Sequence, residues 1–223
     1  MKNLRVVLGI ILLIGIGFWG YHVFKSFAGR EDLLKTIISR LEADSRIAEV
    51  LVTSVKYDEV QKKNFTTIKF LEYGTSGQAL EPKYYTFSGN IIQFQSLVIR
   101  FKNIHIQEAH KFKDKSAYIF WKVFMLDGKN TQEFEINPAR QIPAGYKVTR
   151  DASPYEGALW EKFWDYALDS KKSDEAGIKN AQIEAPGTMF VPGNLYSIKI
   201  EHNGGMRIDA SPLPGILRGE KIP

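Results

Sequence analysis

A run of 19 residues near the N-terminus, Val6–Phe24, limits the fold of this chain more than any other feature. It contains no Asp, Glu, Lys or Arg. A helix of this length rises about 28 Å, close to the thickness of a bilayer's hydrocarbon core. Trp19 and Tyr21 lie near its end, where aromatic side chains favour the membrane interface. The run therefore predicts one membrane-spanning helix, with residues 6–24 in contact with the lipid bilayer.

The charges that flank this run predict its orientation. Lys2 and Arg5 precede it, and positively charged residues favour the cytoplasmic side of a membrane. We therefore expect a single-pass anchor over residues 1–29 in the inner (cytoplasmic) membrane of a bacterium, with the rest of the chain in the periplasm. The alternative is a signal peptide that is cleaved after Ala28, which would release a secreted protein. The length of the apolar run favours the uncleaved anchor.

The residues after the anchor carry the pattern of a second helix. Leu34, Ile37 and Leu41 recur at helical spacing and share one side. We predict a juxtamembrane helix over residues 30–49 whose apolar side packs onto the following domain. A short coiled coil, and with it a weak homodimer, stays an alternative, although Asp44 occupies a position where a heptad seam would place an apolar residue.

Beyond this helix the pattern changes to short segments rich in β-branched and aromatic residues, which are typical of strands. The predicted strands cover residues 50–57, 65–73, 83–90, 91–101, 117–126 and 131–136, followed by a last hairpin around residues 203–205. Strands and helices do not alternate, so a doubly wound dinucleotide-binding fold is not expected. We predict an α+β chain: the two N-terminal helices, a β-rich, sandwich-like and mostly antiparallel domain over residues 50–210, and an extended tail over residues 211–223.

The stretch SPYEGALWEKFWDYALDS predicts the best-specified helix of this domain. Ser153 falls at its N-cap, Pro154 at its first position, and Glu156 where a capping box has its acidic partner. The residues of one apolar stripe are Trp160, Phe163 and Trp164. Such a stripe predicts a structural role in the core. Downstream, Gly177 is expected to close a further helical turn.

Glu156 has two interpretations, because helical spacing places it within the same apolar stripe. As the capping-box partner, its carboxylate would bond back to the amide of Ser153 and need no further role. As a free carboxylate beneath two tryptophans, it would be a candidate ligand-binding group. Paired with Glu161, Asp165 or Asp209, it would suit an envelope hydrolase that uses two carboxylates. The capping interpretation is favoured.

Charge and composition exclude several classes of function. The net charge is +5, but residues 1–29 contain three basic side chains and no acidic one, so 27 basic and 25 acidic residues remain in the rest of the chain. That near balance argues against a nucleic-acid partner. The chain has no cysteine, which excludes disulfides, thiolate metal sites and cysteine nucleophiles. His105 and His110 would point to opposite sides of a strand, and we predict neither a metal nor another cofactor.

Two further segments contain candidate ligand-binding residues. Arg100 and Lys102 begin a basic stretch that suits an anionic envelope polymer, although a solvated strand edge explains these charges as well. Tyr84 and Tyr85, with Phe87, lie on a predicted strand, where exposed aromatic rings would suit a carbohydrate-binding module. Neither segment matches a catalytic motif, so no catalytic residue is predicted.

Four segments of the domain carry a family resemblance: FSGNIIQFQSLVIRF, LWEKFWDYA, GIKNAQIEAPG and GNLYSIKIEHNGG. Over residues 65–209 the chain resembles a family of uncharacterised, single-span, membrane-anchored bacterial envelope proteins with no assigned activity. The resemblance implies an anchored architecture and brings no catalytic residue with it.

These features lead to one expected function and two alternatives. We expect a membrane-tethered extracytoplasmic binding or scaffold module, rather than an enzyme, that holds a protein or an envelope polymer near the membrane. The first alternative is an envelope hydrolase with paired carboxylates. The second is a carbohydrate-binding module.

Overall fold

The computed structural model describes residues 15, 17–19, 21, 34–41, 46–101, 115–128, 130–148, 153–169, 171–172, 179–201 and 204–215. The chain divides into two units, Met1–Ile37 and Ile38–Pro223. Within the predicted membrane segment, residues 15, 17–19 and 21 are helical and exposed, and its other residues lie outside the described ranges, as does Ala28. In the described ranges, no helix combines the length and the apolar character that a membrane crossing requires.

A short helix, α1, covers residues 34–41, inside the predicted juxtamembrane helix. Its buried residues are Leu34, Ile37 and Leu41. The chain enters a strand at Arg46 instead of staying helical to residue 49. Arg46, Ala48 and Val50 are buried in alternation, which is the period of a strand with one covered face. The predicted helix is therefore wrong in its last residues, because pairing with neighbouring strands overrides the local pattern.

The described residues form ten strands in two antiparallel sheets. The first sheet contains β1 (Arg46–Asp58), β2 (Lys63–Glu72), β3 (Lys83–Phe87), β9 (Asn194–Ile200) and β10 (Met206–Pro212), in the order β10-β9-β1-β2-β3. The second contains β4 (Ile91–Phe101), β5 (Lys115–Asp127), β6 (Asn130–Glu135) and β7 (Lys179–Glu184), in the order β6-β5-β4-β7, and β8 (Gly187–Met189) also pairs with β4. A 3-10 helix covers Ala144–Tyr146, and helix α2 covers Pro154–Leu168.

The two sheets pack face to face around an aromatic core. The ring of Phe70 on β2 stacks on Phe94 of β4 at 5.6 Å and meets the edge of Phe120 on β5 at the same distance. All three side chains are buried. This arrangement confirms the predicted β-rich, mostly antiparallel domain and agrees with a sandwich.

Part of β5, in the second sheet, is covered on both faces. Residues 117–120 of β5 are buried without alternation, whereas β2 alternates between buried and half-buried positions. The first sheet covers one face, and α2 covers the other, where the ring of Trp164 lies 6.2 Å from that of Trp121. Consecutive burial is the pattern of a strand enclosed on both sides.

The domain extends further towards the C-terminus than the sequence predicts. β10 continues to Pro212, and the amide of Leu213 donates to the carbonyl of Gly193 at 2.9 Å. Leu213 is buried. Pro212 is tolerated because β10 is an edge strand, where a missing N–H breaks no ladder. Residues 211–213 therefore belong to the folded domain rather than to an extended tail, and residues 216–223 lie outside the described ranges.

Candidate functional site

Helix α2 is a core element and not a surface for ligands. Trp160 and Trp164 are both 0% exposed, and Phe163 is buried beside them. The indole of Trp164 donates to the carbonyl of Gln141 at 2.6 Å, and the ring of Trp160 lies 5.1 Å from that of Tyr146. The aromatic stripe thus joins α2 to the second sheet and to the loop after β6.

The N-terminus of α2 forms only half of the expected capping box. The hydroxyl of Ser153 accepts from the amide of Glu156 at 3.1 Å, and Pro154 occupies the first helical position. The Glu156 carboxylate turns elsewhere: its Oε1 accepts from the amide of Val148 at 2.9 Å. Glu156 is 0% exposed, so it ties the helix to the preceding loop and faces no open cleft.

Two buried polar atoms on α2 have no hydrogen-bond partner in the described part of the chain. They are Oε2 of Glu156 and the indole nitrogen of Trp160. The two residues are one helical turn apart and share a face. Both belong to the packed interior of the domain, so they give no access to a substrate.

A buried ion pair links β1 to β2 within the first sheet and makes hydrogen bonds to the loop after β6. Arg46 Nη2 lies 2.5 Å from Oε1 of Glu72, and the two side chains are 1% and 6% exposed. Asn137 donates to the other carboxylate oxygen at 3.4 Å. The guanidinium also lies 5.1 Å from the centre of the Tyr146 ring, and a Cβ atom on Gly145 would sit 1.7 Å from Arg46 Nη2. Glycine at position 145 therefore leaves room for the arginine.

The raised pKa values of two tyrosines show that this region is shielded from solvent. Burial raises the pKa of Tyr146 to about 12, and the phenol donates to the carbonyl of Tyr118 at 3.2 Å. Burial, followed by the charge of Glu72, also raises the pKa of Tyr85. Both phenols therefore keep their protons at neutral pH.

The predicted aromatic candidates on β3 face opposite sides of the first sheet. Tyr84 is 49% exposed, and the ammonium of Lys69 lies 5.9 Å from its ring centre. Tyr85 and Phe87 are buried in the core. The strand period separates them, so only Tyr84 is available to a ligand from this set.

The basic segment is described only at its start. Arg100 donates through Nη2 to Oε1 of Gln182 at 3.1 Å, across from β4 to β7. Lys102, His105, His110 and Gly177 lie outside the described residues. Within the described ranges, no group of three or more His, Asp and Glu side chains is arranged to hold a metal ion.

The candidate carboxylates do not converge. Asp165 lies 2.6 Å from Lys172, and this hydrogen bond is the main reason why the pKa of Asp165 is lowered. Asp209, on β10, pairs with Arg207 at 2.7 Å. Glu161 is exposed on α2, whereas Glu156 on the same helix is buried. The four groups belong to different surroundings, and none lines either of the two clefts described below.

An open cleft of about 320 Å³ lies at one end of the sandwich, where the two sheets meet. We call it the end cleft. Its lining residues are Val55, Lys63, Asn64, Thr66, Ser88, Gly89, Asn90, Phe190 and Pro192. The β1–β2 hairpin forms one wall, and the β3–β4 turn with the segment between β8 and β9 forms the other. The end cleft therefore depends on the packing of both sheets.

A β-bulge in β1 places Val55, a lining residue of the end cleft, on the core face of the first sheet. The register of β1 against β2 shifts between Val52 and Ser54, so Thr53 is the extra residue. Beyond the bulge, Val55 pairs with the buried Thr66 and therefore shares its face. Bulges re-aim side chains in this way and are common beside functional sites.

A charged network closes one side of the end cleft. The ammonium of Lys63 lies 2.5 Å from Oδ2 of Asp127, to which the hydroxyl of Ser88 also donates at 3.2 Å. Gln132 completes the network by donating to the Ser88 hydroxyl at 2.7 Å. The bond from Lys63, and then that from Ser88, lower the pKa of Asp127. Asp127 is thus charged at neutral pH, and the contribution of these bonds to the stability of the fold fades as pH falls through its lowered pKa.

The end cleft also contains neutral polar side chains whose hydrogen-bonding groups have no partner among the described residues. Among the described residues, the side-chain amides of Asn64 and Asn90 make no hydrogen bond. Tyr57 lies opposite Asn64 on the neighbouring strand, shares its face and is 55% exposed. The sequence pattern places Tyr57 and Asn90 at the ends of predicted strands and Asn64 between two of them, and it indicates a binding role for none of the three. One signal in the sequence was available. Polar side chains occupy the inward-facing positions of β2 beyond the apolar residues that form the core.

A second cleft of about 440 Å³ lies near the start of β1. Its lining residues are Arg46, Ile47, Glu49, Tyr73, Gly74, Thr75 and Gly77. The phenol of Tyr73 donates to Oε2 of Glu49 at 2.7 Å, and this bond is the main cause of the raised pKa of Tyr73. The carboxylate of Glu49 is already engaged, and no other carboxylate is found among the described residues that line this cleft.

Comparison of the chain with protein-family models, with curated proteins and with solved structures finds no match in any of the three.

Proposed function

We propose that this protein is a membrane-tethered binding module whose folded domain faces the extracytoplasmic space. The apolar run over residues 6–24 supplies the tether, and Lys2 and Arg5 favour the outward orientation of the domain. The observation that carries the binding role is the end cleft, an open concave surface lined by both polar and apolar residues on a packed sandwich. The family resemblance of residues 65–209 supports the same anchored architecture.

Binding explains the arrangement of charged groups better than hydrolysis does. A glycosidase with two carboxylates needs them about 5–9.5 Å apart on either side of the scissile bond. The carboxylate of Glu156 is enclosed, and those of Asp165 and Asp209 are held by basic partners on different elements. A concave cleft that combines an apolar lining with a few polar side chains is the form that a binding site commonly takes.

The absence of cysteine makes a direct test of this location feasible, because any introduced thiol is the sole one. Ser76 is exposed in the β2–β3 loop, whereas Ser96 is 0% exposed on β4. In intact cells that express the full chain, we expect Ser76→Cys to react with a membrane-impermeant maleimide and to stay with the membranes after an alkaline wash. Ser96→Cys is the matched control, and it should react only after denaturation.

A third variant, Asn3→Cys, tests the orientation of the anchor. We expect it to stay unlabelled until the cells are permeabilised. Labelling of Asn3→Cys but not Ser76→Cys in intact cells would place the domain in the cytoplasm and overturn the proposal. Recovery of labelled Ser76→Cys in the soluble fraction would instead indicate a secreted protein, cleaved after Ala28.

A further inference from the structure

We infer that the end cleft binds a neutral sugar residue. This inference rests on the proposed binding function and names its ligand class. The volume of about 320 Å³ lies at the small end of the range for ligand pockets, roughly 300–1,000 Å³, and suits one ring of a sugar.

The charge of the end cleft selects a neutral ligand. Among the described residues that line it, Lys63 is the sole charged one, and Asp127 neutralises that ammonium at 2.5 Å. Ser88 is engaged by the same carboxylate and by Gln132. An anionic ligand would have to displace Asp127 from the ammonium, and a cationic ligand would meet that ammonium in the wall. A ligand without charge leaves the network intact.

The polar groups that remain suit hydroxyl groups. Each of the amides of Asn64 and Asn90 offers two donor hydrogens and an acceptor oxygen, so each can bind a pair of neighbouring hydroxyls. Neither amide is used by another described residue. Asn64 lies on β2 of the first sheet, and Asn90 lies in the β3–β4 turn, which connects the two sheets.

An apolar surface lies beside these amides. Tyr57 is 55% exposed on the face that carries Asn64, and Val55 is 46% exposed two positions before it. The C–H face of a sugar ring packs well on such a phenol ring, which has a large apolar body and a polar tip. The bulge at Thr53 brings both side chains to this face, since unbroken alternation would turn them outwards.

Nuclear magnetic resonance of the full chain, in a detergent whose head group is not a sugar, tests this inference. Glucose, N-acetylglucosamine and the N-acetylglucosamine trimer are titrated separately. We expect saturable shifts in the side-chain amide signals of Asn64 and Asn90, assigned by their loss in the alanine variants. Tighter binding of the trimer would identify a residue within a polymer as the natural source, and equal affinity would identify the free sugar.

Alanine variants test whether the sugar binds in the end cleft or elsewhere on the surface. We expect Asn64→Ala, Asn90→Ala and Tyr57→Ala each to weaken the apparent affinity by about tenfold, as the loss of one good contact does. Tyr84→Ala, which removes an exposed tyrosine from the opposite face of the same sheet, should leave the affinity unchanged. Backbone signals of the core, unchanged in each variant, report that the fold is intact.

Three results would overturn the inference. The first is no saturable shift at the highest soluble concentration of any of these sugars. The second is equal weakening by Tyr84→Ala. The third is a saturable response to sodium sulfate at the same residues, with none to sodium chloride at equal ionic strength, which would assign the cleft to anions. Cysteine labelling tests the tethered location separately, so failure of the sugar ligand and failure of the membrane location are distinguishable.

Discussion

Replacement of Trp160 by alanine is expected to lower the free energy of unfolding by about 3–5 kcal/mol, the usual range for a fully buried aromatic side chain. Trp160 is 0% exposed, and its ring contacts those of Tyr146 at 5.1 Å and Phe163 at 5.3 Å. Truncation would leave a cavity between α2 and the loop after β6. Urea unfolding of the full chain, followed by far-ultraviolet circular dichroism, measures the loss.

Tyr84→Ala is the control for this loss, because Tyr84 is an exposed aromatic residue of the same domain. We expect its effect to stay within about 0.5 kcal/mol. Trp160→Phe, which keeps a ring in place, should cost less than Trp160→Ala. If Trp160→Ala were as stable as Tyr84→Ala, α2 would not be a core element, and its aromatic stripe would again be a candidate binding surface.

Replacement of Arg46 by methionine is expected to cost about 3–5 kcal/mol, because it leaves the carboxylate of Glu72 buried without its cation. The pair is short, at 2.5 Å, and nearly inaccessible to solvent. Glu72→Leu should cost a similar amount, since it leaves the guanidinium of Arg46 buried without its anion. The double variant should regain much of the loss, because two apolar side chains of similar volume replace a buried ion pair at little cost.

A double-mutant cycle on unfolding free energies checks this coupling. Additive losses from the two single variants would show that Arg46 and Glu72 do not depend on each other. The pair makes hydrogen bonds to Asn137 and Gly145 in the loop after β6. Additivity would therefore also argue against a role of the pair in holding this loop in place.

The parts of the fold that follow from local pattern were predictable. Helix α2 was among them, because Ser153, Pro154 and the aromatic spacing specify its start and its buried face. Most long strands were also predictable, since β-branched and aromatic residues dominate them. The start of β1 at Arg46 was missed, because the residues before it have a helical period and strand pairing with β9 and β2 decides the outcome.

The end cleft depends on contacts between distant segments, which local pattern does not report. Its walls bring Asn64, Asn90 and Phe190 together, and the sequence separates them widely. The bulge at Thr53 shifts the inward positions of β1 by one residue, so simple alternation assigns Val55 and Tyr57 to the wrong face. Glu156 illustrates the same limit, because its partner is Val148 rather than the Ser153 amide that the capping motif suggests.

Occupancy of the end cleft in the living cell is the most direct test of a tethered binding module. Val55→Cys places a thiol in the end cleft, and Ser76→Cys places one in an exposed loop away from it. For the purified full chain and for intact cells, the maleimide reaction rate of Val55→Cys is divided by that of Ser76→Cys. We expect this ratio to be several-fold lower in cells, because a ligand covers the end cleft there. An equal ratio in both preparations would contradict the binding role.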